Sequence, residues 1–281
     1  ADLDGRNGFR LDGEADSDFA GFAVSSAGDV NGDGYADIIV GARGAGDYAS
    51  DAGAAYLLFG AAGGFAPALS LGDLDGANGF KIVPRSNSSS DQLGFSVAAA
   101  GDVNGDGFDD VVIGAVEASA PAYEAGAVYV LFGKATDFAA AVSVASLNGD
   151  NGFRITGEAR DDLVGLAVSA ADVNGDGLSD ILLGASGADA DGSDSGAAYI
   201  VYGRAPNERV ERIGTEIGQN LVGSGRGDLL SGLGGDDRLH DRRGRLLAAC
   251  DDAGQNQHQC DLLRHVPMLL FRGGFVPRLL G

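Results

Sequence analysis

No tryptophan occurs anywhere in the 281 residues, and the first 239 also lack cysteine, histidine and methionine. His240, His258 and His265, Cys250 and Cys260, and Met268 all lie at position 240 or beyond. Most of the chain therefore cannot hold a disulfide framework or a nucleophile–histidine–acid triad, nor any metal site that needs nitrogen or sulfur ligands. Basic residues are scarce as well, 19 against 41 acids, for a formal net charge of −22. Phosphate recognition needs clustered Lys and Arg, so nucleic acid and anionic membrane surfaces are excluded as partners. No apolar run is long enough to span a bilayer. No glycine-rich loop leads into a helix to cradle a phosphate.

Glycine and acid are abundant. The 48 glycines, many in Asn-Gly and Asp-Gly pairs, demand frequent tight turns, and no helical periodicity of useful length stands out, so the expected fold is all-β. The acids concentrate in one string, VNGDG, which appears three times with an Asp before it and an Asp after it. Asp29, Asn31, Asp33, Tyr35 and Asp37 form the first copy; Asp102, Asn104, Asp106, Phe108 and Asp110 the second; Asp172, Asn174, Asp176, Leu178 and Asp180 the third. Positions one, three, five and nine supply side-chain oxygens and position seven a backbone carbonyl, an all-oxygen shell suited to calcium. An EF-hand would need a bidentate Glu at position twelve. Val40, Ile113 and Leu183 stand there, inside DIIVGA, DVVIGA and DILLGA, so each loop leads into a strand and is a hairpin connection.

Four strand-like segments recur around each loop. The first unit gives Phe22–Ala27, Asp37–Ala42, Ala54–Phe59 and Gly79–Val83. The second gives Phe95–Ala100, Asp110–Ala115, Ala127–Phe132 and Gly152–Ile155. The third has three, Leu166–Ala171, Asp180–Ala185 and Ala197–Tyr202, and an unmatched strand, Gly8–Leu11, opens the chain. A period of about 70 residues with four antiparallel strands is the pattern of a propeller blade. The opening strand either completes the last blade or belongs to an earlier one.

These features resemble the FG-GAP repeats of integrin α-subunit propellers and their bacterial secreted relatives. Gly21-Phe22, Leu93-Gly94-Phe95 and Gly165-Leu166 precede the first strand of each unit, and Gly41-Ala42, Gly114-Ala115 and Gly184-Ala185 close the second. The order is GF here, and Arg43, Val116 and Ser186 replace the family's proline. The resemblance covers residues 1 to about 204 and implies three four-stranded blades of a partial or open β-propeller over 1–210. It also implies calcium in the loops and a secreted or cell-surface module for adhesion or recognition. Three blades leave two sheet faces uncovered, which calls for self-association or for further blades.

Residues 211–240 follow a nine-residue period, GTEIGQNLV, GSGRGDLLS and GLGGDDRLH. It resembles the haemolysin-type calcium-binding nonapeptide repeat and implies a short β-roll-like segment, with Asp228 and Asp237 as calcium ligands. Arg226-Gly227-Asp228 is also an RGD tripeptide, read as a by-product of the Gly-Asp repeat. Residues 241–281 abandon both periods and carry six Arg against four Asp, an unrelated tail expected to be disordered or the product of a frameshift.

The conspicuous acids are thus accounted for as metal ligands, and the expected function is non-catalytic: calcium-dependent binding of a protein or carbohydrate ligand outside the cell. The alternatives are an accessory segment of a larger secreted hydrolase, as in the glycosylphosphatidylinositol-specific phospholipase, and a structural spacer.

Overall fold

The computed structural model describes residues 2–46, 51–85, 90–119, 122–135, 138–189 and 192–204, and from 205 onward the backbone of the strands alone. The chain packs as two units. One contains residues 1–101, 109–171 and 181–201; the other contains 102–108, 172–180 and everything from 202 on.

The first unit holds the blades. After β1 (Arg10–Asp12) come β2 (Ala20–Gly28), β3 (Asp37–Ala42), β4 (Ala54–Leu58), β5 (Ala68–Ser70) and β6 (Gly79–Val83). The second set is β7 (Leu93–Gly101), β8 (Asp110–Ala115), β9 (Ala127–Leu131), β10 (Ala141–Ser143) and β11 (Gly152–Thr156); the third is β12 (Val164–Ala171), β13 (Asp180–Ala185) and β14 (Ala197–Val201). The strands join as antiparallel meanders, β2-β3-β4-β6, β7-β8-β9-β11 and β12-β13-β14. These are three propeller-type blades, as the sequence leads one to expect.

The alternation within the strands explains their placement. On β3, β4, β8 and β9 nearly every side chain is buried, because both faces of a middle strand are covered. Ile39, Ala55 and Leu57 of blade one pack with Leu93, Val97 and Ile113 of blade two in one core cluster. At about 1.5–3 kcal/mol for each large side chain removed from water, these faces hold the blades together.

Two short strands have no forecast in the sequence. β5 and β10, each followed by a 3₁₀ turn capped by the hydroxyl of Ser70 or Ser143, lie in the linkers. β10 runs parallel to β6, the outer strand of the preceding blade, and β5 runs parallel to β1 in the same way. Stacked rings seal both contacts, Phe138 on Phe80 with centroids 4.5 Å apart and Phe65 on Phe9 at 4.4 Å. β1 thus occupies the position of an outer strand ahead of blade one. It pairs with β5, and among the described residues β14 has no neighbour beyond β13. The opening strand therefore does not pair with the third blade in this structure.

In the second unit the nine-residue period reappears in the backbone. β15 (Glu211–Ile213), β16 (Asn220–Val222), β17 (Leu229–Ser231) and β18 (Arg238–His240) follow one another at that spacing. β15 pairs in parallel with β17, and β16 with β18, so alternate strands fall on two different sheets, a roll-like arrangement. The segment 241–281 carries β19 (Leu246–Asp251), β20 (Gln259–Leu262) and β21 (Arg278–Leu279), which extend the sheet of β16 and β18.

Candidate metal-binding loops

Each VNGDG loop joins the first two strands of its blade, and all three are wound by the same internal bonds. In the first, Asp29 accepts from the N–H groups of Asp33 (3.0 Å) and Gly34 (2.9 Å), Asn31 Oδ1 from Asp33 N–H (3.0 Å), and Asp33 Oδ1 from Tyr35 N–H (2.9 Å). In the second, Asp102 accepts from Gly105, Asp106 and Gly107, Asn104 from Asp106, and Asp106 from Phe108. In the third, Asp172 accepts from Gly175, Asp176 and Gly177, Asn174 from Asp176, and Asp176 from Leu178. The turn requires left-handed backbone at both glycines of each string: φ is 73° and 90° at Gly32 and Gly34, 74° and 76° at Gly105 and Gly107, and 75° and 87° at Gly175 and Gly177.

This winding engages the side-chain oxygens at positions one, three and five with the loop's own amides. The residues at position seven, Tyr35, Phe108 and Leu178, are fixed through their N–H groups. The closing acids Asp37, Asp110 and Asp180 are all but fully buried. Asp37 accepts from Val30 (2.8 Å) and Gly60 (2.9 Å), and Asp180 from Val173 and Gly203 (2.9 Å each). Asp110 accepts from Gly133 at 2.9 Å. These acids therefore anchor the entry to the second strand and also the chain leaving the third.

Three ion pairs among the described residues, Arg10–Asp12, Lys81–Glu14 and Arg160–Asp161, lie away from the loops. Burial pushes the Asp37 carboxyl up to about 7, with Asp29 and Asp33 adding to the rise. Burial, with Asp33 beside it, also raises Asp29. A dication would relieve both effects, and the donor set of carboxylates, an amide oxygen and a carbonyl is of the hard kind that calcium accepts. Among the described residues no three His, Cys, Asp or Glu side chains close on one point, so an ion here would draw on the Asn oxygen and the position-seven carbonyl as well. Asp228 and Asp237 lie outside the described residues.

The loops are also stitched to one another. Asp109 Oδ2 accepts from Asp29 N–H at 2.8 Å, and Asp109 N–H donates to Asp29 O at 3.2 Å. Lys134 N–H reaches Val30 O at 2.9 Å. One blade further on, Ser179 N–H donates to Asp102 O and Arg204 N–H to Val103 O. Position eight of one loop thus grips position one of the loop before. The ligand pattern passes over position eight, and the acid at Asp109, against Ala36 and Ser179 in the other copies, is the only sequence signal for it. Asp18, Asp91 and Asp162, buried in the turn ahead of each first strand, are a further repeated set; Asp18 accepts from Ala15 N–H, and Asp162 from Glu158 and Ala159.

Blades of this topology with an oxygen-lined loop in each first hairpin define a repeat protein of β-propeller type. The FG-GAP repeat family matches residues 20–58, 93–131 and 164–201, which run from the start of β2, β7 or β12 to the end of β4, β9 or β14. Three stretches of the chain thus match the FG-GAP repeat. It is similar to Integrin alpha pat-2 of Caenorhabditis elegans, 40% identical over 95 residues, which cover 34% of this chain and 7% of that protein. Among the described residues no helix is long and apolar enough to cross a membrane.

Proposed function

We propose that the three loops bind calcium and that the blades form a non-catalytic adhesion or recognition module working outside the cell. The observation that carries this reading is the threefold repetition of one wound loop with a carboxylate or amide oxygen at positions one, three, five and nine, the last of them a buried acid. A turn needed only for chain reversal has no use for four side-chain oxygens in register at every copy. The FG-GAP repeats and the similarity to an integrin α-chain support an integrin-like binding surface, and the ligand class is a protein or a carbohydrate. The nine-residue strand spacing supports a calcium-binding roll of haemolysin type, in which Asp228 and Asp237 would be the ligands.

The full chain immobilised on beads should retain extracellular-matrix proteins or glycans from an array in calcium and release them in chelator. Retention unchanged by chelator, or hydrolysis of ester, phosphodiester or glycosidic substrates by the full chain, would contradict the reading.

A further inference from the structure

The two cysteines of the chain meet in the backbone register. β19 and β20 run antiparallel, and their Cα partners are Ala248 with Leu262, Ala249 with Asp261, Cys250 with Cys260 and Asp251 with Gln259. Cys250 and Cys260 are therefore directly opposite each other. The sequence holds 2 cysteines in all, so each has one possible partner within its own chain.

Directly opposed residues of an antiparallel pair lie on one face of the sheet with Cα atoms about 4.5–5.5 Å apart. A disulfide bridges Cα atoms about 4.4–6.8 Å apart, so this register serves one without backbone movement. The match depends on the register alone: a slip of one residue would set Cys250 against Gln259 or Asp261 and separate the cysteines to opposite faces. Closure is also local, because only residues 251–259 stand between the two. A short separation favours encounter within the chain over encounter with a second copy. β19 is the middle strand of the sheet β16-β18-β19-β20-β21 and pairs with β18 through Arg238 with Ala249 and Leu239 with Ala248. A bond from β19 to β20 would tie the strands after residue 241 to the sheet that carries the nine-residue period. A structural zinc site, the other chemistry paired cysteines serve, needs four ligands, of which this register supplies two.

We propose that Cys250 and Cys260 are a modification site, oxidised to an intrachain disulfide that staples β19 to β20. The oxidant is a low-molecular-mass disulfide or a thiol–disulfide oxidoreductase. The thiolate of one cysteine attacks a sulfur of the oxidant, forming a mixed disulfide and releasing one thiol; the thiolate of the other cysteine then displaces the second thiol. Two protein thiols thereby give up two electrons and two protons to form one S–S bond, and the oxidant's disulfide is reduced to two thiols. The bond persists in an oxidising compartment such as the extracellular space. Its formation in vitro depends neither on that location nor on calcium.

The full chain, reduced and then placed in an oxidising glutathione buffer, should lose both titratable thiols and keep the mass of a single chain on a non-reducing gel. Tryptic cleavage after Arg245 and Arg264 releases both cysteines in one peptide, 246–264, which should be two hydrogens lighter than its reduced form. Cys260→Ser should instead hold one glutathione on Cys250. Moving the second cysteine by one position, Cys260→Ser with Asp261→Cys, places it on the other face and should slow closure by about tenfold or more. Two thiols persisting in the parent, glutathione held on both cysteines, linkage between copies, zinc retained through the thiols, or closure equally fast in the shifted variant would overturn the proposal.

Discussion

Single residues show which repeated positions carry energy. Tyr56 and Tyr129 hold the same place in blades one and two, both 1% exposed, yet their surroundings differ. The Tyr56 hydroxyl donates to Glu14 Oε2 at 2.7 Å, and Lys81 pairs with the same oxygen at 2.7 Å; over Tyr129 lies the Arg154 guanidinium, 5.7 Å from the ring centre. The Lys81 and Tyr56 hydrogen bonds hold the Glu14 carboxyl below its ordinary 4.5. Its contribution is therefore complete above that pH and is lost as pH falls through the lowered folded value. Glu14→Gln should cost about 1 kcal/mol at pH 7 by urea unfolding, and the difference from the parent should vanish in acid; a constant difference at all pH values would assign the loss to packing instead. Asp109→Ala removes the carboxylate that grips Asp29, and about 1–3 kcal/mol should be lost. Calcium affinity should fall in one loop of the three, and an equal fall in all three would contradict the stitching of loop to loop.

At the scale of elements, most of the blades were legible in the sequence because each second strand follows an Asp-closed loop and ends in Gly-Ala, and the other strands recur at fixed distances from it. Asp37–Ala42, Gly79–Val83, Asp110–Ala115 and Asp180–Ala185 have the bounds their patterns indicate. The first strands begin two residues earlier than expected, at Ala20, Leu93 and Val164, because a bulge at the glycine lets the chain pair on both sides of it. β5 and β10 were not legible: three residues each, they are strands only because a neighbouring blade offers an edge. The loops themselves were readable from the spacing of their acids and glycines, whereas the grip of Asp109 and the anchoring of Asp37 depend on contacts between elements far apart in sequence. Two experiments belong at this scale. Gly114→Ala should destabilise by about 1–3 kcal/mol through the clash with Gly165 O and Ser96 Oγ, and a neutral result would show the blade boundary to be loose. Truncation after Tyr202 removes the Gly203 and Arg204 amides that hold Asp180 and Val103, at about 1–3 kcal/mol in all. Truncation after Arg204 keeps both and should leave the melting of the blades unchanged; equal effects from the two truncations would contradict this role for the two amides.

For the molecule as a whole, the excess of acid is the quantity to explain. A net charge of −22 disfavours the compact state, and part of it sits in loops where burial has already raised two carboxyls. Under the proposed function, calcium in the loops would turn that liability into stability. Extracellular modules bind the ion at about 10⁻⁴ to 10⁻³ M; at that affinity and about 1 mM free calcium each loop would gain roughly 0.4–1.4 kcal/mol and three about 1–4 kcal/mol. Magnesium, with its smaller octahedral shell and tightly held waters, should replace it poorly. The most direct test is a calorimetric titration of the full chain with calcium, paired with thermal melting in calcium and in chelator. Binding at the three loops, a melting temperature that falls on chelation, and loss of about a third of the calcium-dependent stability in Asp106→Ala are the predicted results; no heat of binding and a melting curve unmoved by chelator would contradict the assignment of Asp29–Asp37, Asp102–Asp110 and Asp172–Asp180 as calcium loops.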